Sequence, residues 1–63
     1  MLTPSERKFL VDLVTANATG GEAKTKFFLD KDNINQLIYI RKLVGAEALD
    51  EELLYARKVA SND

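Results

Sequence analysis

Two pairs of carboxylates, Asp30 with Asp32 and Glu51 with Glu52, are the groups in this chain that could share a proton and divide the roles of acid and base. Each pair stands where a helix is expected to begin, and acidic side chains belong there because they complement the positive end of the helix dipole. Asp30, Asp32, Asn33 and Asn35 also suggest the oxygen-rich spacing of a calcium loop. That loop needs an oxygen ligand where Ile34 stands, Gly where Asn35 stands and Glu where Arg41 stands. Gly20 and Gly21 lack the surrounding pattern of a phosphate-cradling loop and read as a turn. With no His and no Cys, the commonest general base, metal ligand and soft nucleophile are missing. The expectation is a protein that is not an enzyme, with no catalytic residue, no cofactor and no metal.

The remaining chemistry is that of binding. Tyr39 falls on the polar face of a central helix and Tyr55 at the edge of a later one, while Leu54 points away from that helix's apolar stripe. Arg41 lies within an apolar arc, where its stem can pack and its head must reach a carboxylate or the rim of a contact. Aromatic residues and Arg are enriched at interface hot spots, so Tyr39, Arg41, Tyr55 and Leu54 are the candidate partner-binding residues. Arg7, Lys8, Lys24 and Lys26 make a modest basic set that reads first as a solvated face.

The elements that must position these residues read as all-α, a small three-helix domain. Thr3, Pro4, Ser5 and Glu6 combine a hydroxyl cap, Pro at the first helical position and Glu to close a capping box, so a helix is expected over about 4–17. Phe9, Leu10, Leu13, Val14 and Ala16 share one face, with Val11 apart. A second helix is expected over about 31–44, capped by Asp30 or Asp32 and ended by Gly45. At about 100° per residue its apolar side chains spread over roughly 220°, twice the stripe of an ordinary surface helix. A third helix, about 49–60, turns Leu49, Leu53, Ala56, Val59 and Ala60 inward. Between the first two, Ala23, Thr25, Phe27 and Leu29 alternate with Glu22, Lys24, Lys26 and Phe28, so residues 23–29 read as a short extended segment or a strand pairing with another molecule.

A chain of 63 residues is a single domain that buries only about 60% of its unfolded surface. Without Cys or His, neither a disulfide nor a zinc site of those ligands reinforces it, which leaves association as the common remedy. A homodimer or a complex with another protein is therefore expected. The net charge of −1 does not advertise nucleic acid, and no apolar run approaches the ~20 residues of a membrane span, so no membrane partner is expected and the location reads as cytoplasmic. The short length and initial Met fit a complete small gene product, such as a bacterial or phage regulator or inhibitor.

Lys24 to Gly45 resembles the first half of a ribbon-helix-helix DNA-binding protein. KTKFFLD stands as the strand, and Asp30, Ile34, Leu37, Ile40, Val44 and Gly45 fall at the cap, core positions and turn. The resemblance implies a dimer whose paired strands enter the major groove, with Lys24, Lys26 and Phe28 facing the bases and Phe27 and Leu29 the core. Departing from that family, Glu47, Asp50, Glu51 and Glu52 place acids where its second helix holds phosphate, and helix 4–17 has no counterpart in it. The leading expectation is accordingly a small non-enzymatic protein–protein interaction module, a regulator or inhibitor acting through its central hydrophobic helix. The alternative is a dimeric DNA-binding regulator.

Overall fold

The capping signals at Thr3 act as their chemistry requires. Thr3 Oγ1 accepts a hydrogen bond from the Glu6 amide at 3.1 Å, and the Thr3 amide donates to Glu6 Oε1 at 2.8 Å. Two donors that would otherwise lack intrahelical partners are thereby satisfied. In the computed structural model, which describes residues 2–62, this cap opens the first of four helices: α1 Pro4–Thr19, α2 Gly21–Leu29, α3 Lys31–Val44 and α4 Ala46–Ser61.

Single residues join them. Gly20 and Gly45 have φ of 70° and 88° with ψ of −164° and 162°, a combination essentially reserved for glycine. Each therefore ends one helix and starts the next within one residue. The Gly45 amide donates to the Arg41 carbonyl at 2.8 Å, and the Gly45 carbonyl accepts from the Leu49 amide at 3.0 Å. The expected three-helix count is corrected to four, and the last helix begins at Ala46 rather than near Leu49, because the turn at Gly45 needs no separate loop.

The second correction is the extended segment at 23–29, which is helix α2. A nine-residue helix is marginal alone and takes its stability from its neighbours. The Phe27 ring packs on Phe9 and on Phe28, at centroid distances of 5.6 and 5.4 Å. The Asn33 side-chain Nδ2 donates to the Phe27 carbonyl at 3.0 Å and satisfies the end of the helix from α3. Glu22 and Lys26, four apart, form an ion pair at 3.1 Å in the favourable order.

The helices close a ring: α1 packs on α2 and α4, and α3 packs on the same two. At the centre lie Ile40, fully buried, and Leu10, with Leu2, Leu13, Val14, Leu49 and Ala56 around them. Of the stripes expected to face inward, Phe9, Leu10, Leu13 and Val14 of α1 and Leu49, Leu53, Ala56 and Ala60 of α4 lie in or pack against the core, whereas Ala16 and Val59 are half-buried outside it and Val11 packs against it instead. Leu2, ahead of the cap, joins the core as well. Helices α1 and α4 run in the same sense, since Arg7 meets Glu52 at 3.8 Å while Val14 and Ala18 share a groove with Arg57 and Ala60 farther along. No helix among the described residues is long and apolar enough to cross a membrane.

Candidate interaction site

Among the described residues no polar or charged side chain is buried, so the groups available for recognition lie at the surface. The acidic clusters have structural work to do. Asp30 Oδ1 accepts from the Asp32 amide at 2.9 Å as the cap of α3, and Asn33 closes α2. Glu52 is half-buried against Arg7, whereas Glu51 is exposed. No group of three or more acidic side chains suited to a metal ion occurs among the described residues.

Helix α3 divides its wide apolar arc between two environments. Ile40 is sealed in the core, Leu37 and Val44 pack against it and Ile34 is half-buried, whereas Ile38 and Leu43 are about half exposed. Its two packing neighbours, α2 and α4, leave the remainder of the arc uncovered. Tyr39, four residues before Leu43 and on the same side, is also exposed, so an aromatic and two aliphatic side chains interrupt an otherwise polar outer face. No family model, characterised protein or solved structure matches the chain. The surface must be read from its own chemistry.

The four candidate contact residues fall into two groups. Tyr39 and Arg41 belong to α3, where both are exposed but about 160° apart around the axis, so they flank Ile38 from opposite sides. Among the described residues the Arg41 guanidinium has no carboxylate partner, leaving the head expected at the rim of a contact free at the surface. Leu54 and Tyr55 are adjacent at the middle of α4, at 56% and 59% exposure. Tyr55 also walls a shallow groove of about 420 Å³ with Pro4, Arg7, Lys8, Val11 and Val59.

The residues of the alternative DNA-reading set are not brought together. On helix α2, Lys24 and Phe28 lie one turn apart on one side, whereas Lys26 projects to another and pairs with Glu22. Phe28 packs against the core, and Leu29, which the strand reading turned inward, is 76% exposed. The two-stranded ribbon that the resemblance implies requires an extended segment that α2 replaces. Ile38 and Leu43 are contact candidates that the sequence reading assigned only to the apolar arc. Their signal was the width of that arc.

Proposed function

We infer that the protein is a non-enzymatic interaction module that binds a partner protein through the outer face of α3. One observation carries this reading: the helix that supplies the fully buried Ile40 leaves Ile38, Tyr39 and Leu43 exposed on its other side. Isolated exposed apolar residues are ordinary, but three within one and a half turns of a short helix form a patch of the kind an apolar groove or a facing helix recognises. Arg41 borders the patch beyond Ile38, and Lys42 stands between Ile38 and Tyr39, where its stem can pack and its head reach the polar rim of a contact. Such a module regulates or inhibits by occupying a surface of its partner. Duplex DNA binding draws less support, because Lys24 and Lys26 do not share a face.

The test is capture from cell lysate, with nuclease present and absent, by the wild-type protein and by Ile38→Asp and Tyr39→Ala variants that keep their helical circular dichroism. A protein captured by the wild type is expected to be lost or weakened by about 2 kcal/mol in at least one variant, the loss of a hot-spot side chain. Equal capture by all three, or a retained species that nuclease removes, would refute the reading.

A further inference from the structure

The outer face of α4 carries an order that its packing does not explain. Glu47, Asp50, Glu51, Leu54, Arg57 and Lys58 recur at spacings of three and four, so they line one side of the helix, and all six are exposed. Three acids precede Leu54 and two bases follow it. The helix dipole favours acids early and bases late, but it gives no reason for an exposed Leu54 between them with Tyr55 beside it. Within the helix these charges are badly placed: Glu47 has like charges at Asp50 and Glu51, and no base lies three or four residues from any acid of the stripe. Helices α1 and α2 differ, since Lys8 pairs with Asp12 and Lys26 with Glu22, whereas α3 likewise takes part in no ion pair among the described residues. Among the described residues none of the five charges on this stripe of α4 takes part in an ion pair.

We propose that this face is the seam of a homodimer in which two copies of α4 lie antiparallel, with the two-fold axis passing at Leu54. A helix reversed about Leu54 sets Glu51 beside Lys58 of the second copy along one flank of the seam and Asp50 beside Arg57 along the other, because the members of each pair share an angular position and stand three and four residues from Leu54 in opposite directions. Each contact occurs twice by symmetry, as an isologous interface demands. Both Leu54 side chains meet at the centre, and Tyr55 flanks them over the groove that contains Val11 and Val59. The charge pattern selects a second copy because it is complementary to its own reversal. It also selects the antiparallel direction, since a parallel pair in register would set acid against acid and base against base. Helix α4 is about 24 Å long, too short for one helix pair to reach the ~800 Å² per partner of a standard interface, so the dimer is a weak, concentration-dependent one. The seam is separate from the outer face of α3, and either surface can fail its test without the other.

Sedimentation equilibrium of the intact protein from about 10 µM to about 1 mM, the range of a weak interface, tests the proposal. The wild type is expected to move from monomer towards dimer, and raised salt is expected to weaken the association several-fold by screening the exposed pairs. Leu54→Gln is expected to remain monomeric with an unchanged melting temperature. Asp50→Lys with Glu51→Lys should give one monomeric variant and Arg57→Glu with Lys58→Glu another, their equal mixture forming a heterodimer. Because both double substitutions oppose the helix dipole, direction is checked on near-native chains as well. The protein has no Cys, so mixed Glu51→Cys and Lys58→Cys variants should cross-link to each other on oxidation, and Glu51→Cys alone should not. A wild-type monomer at the top concentration, a dimer that survives Leu54→Gln, or cross-linking of Glu51→Cys to itself would overturn the proposal.

Discussion

Replacing Gly45 with Ala isolates the energy stored in a one-residue helix connection. The position is exposed, and a Cβ added there would meet no atom within 4 Å, so crowding contributes nothing. The cost is in the backbone, because φ of 88° with ψ of 162° lies in a region an L-residue enters at about 1–3 kcal/mol. Stiffening the unfolded chain returns about 0.4–1 kcal/mol, which leaves a net loss of about 1–2 kcal/mol. A chain of this length has about 3–9 kcal/mol in total, and each kcal/mol shifts the melting temperature by about 4–8 °C, so a fall of about 5–15 °C is expected. D-alanine at the same position is the control. Inverting both dihedral signs places it at the edge of the broad extended region, so its strain disappears and only the entropic gain remains. Chemical synthesis makes both variants accessible, and thermal and urea unfolding followed by circular dichroism gives the ordering D-Ala above Gly above L-Ala. A Gly45→Ala variant as stable as the parent, or a D-Ala variant destabilised as much as L-Ala, would refute the backbone argument.

Ile40→Asp, which places an unpaired charge at the most buried side chain, is expected to abolish the folded state, whereas Leu37→Asp at a half-buried position should lower the melting temperature and retain helix. Urea titration distinguishes them, and equal losses would misplace the centre of the core. Thr3→Ala removes the cap of α1 and should cost about 1 kcal/mol, read as a shift of the urea midpoint with unchanged slope.

What the sequence made legible follows the range of the interactions involved. The start of α1 and both ends of α3 were readable because Thr3 with Glu6, Asp30 and Gly45 act on neighbours within four residues. Residues 21–29 were not, because alternation at Ala23, Thr25, Phe27 and Leu29 fits a strand and a short helix equally well. What decides between them comes from elsewhere in the chain, the ring of Phe9 and the side-chain amide of Asn33. Gly45 was read as the end of one helix, and its second role as the start of α4 depends on a dihedral pair that residue type alone does not specify. For the candidate surface, angular position was enough to place Leu54 and Tyr55 on the outside. The exposure of Ile38 and Leu43 depended instead on how many helices cover α3, which is a property of the assembled ring.

The shared direction of α1 and α4 has a practical consequence for handling the molecule. In an antiparallel pair of first and last helices the two ends of the chain emerge side by side, but here the last turn of α4 lines a groove with the last turn of α1, Ser61 with Thr19, while Leu2 precedes the first turn of α1. A tag or reporter at one end therefore stays clear of a second at the other, and a fluorescent donor and acceptor placed on them would report their separation directly. A circular permutant would need a linker able to run back along the 16 residues of α1, about 24 Å or about seven extended residues. Cutting the permuted chain open at Gly20 or Gly45 would free the backbone from the dihedral that only glycine accepts.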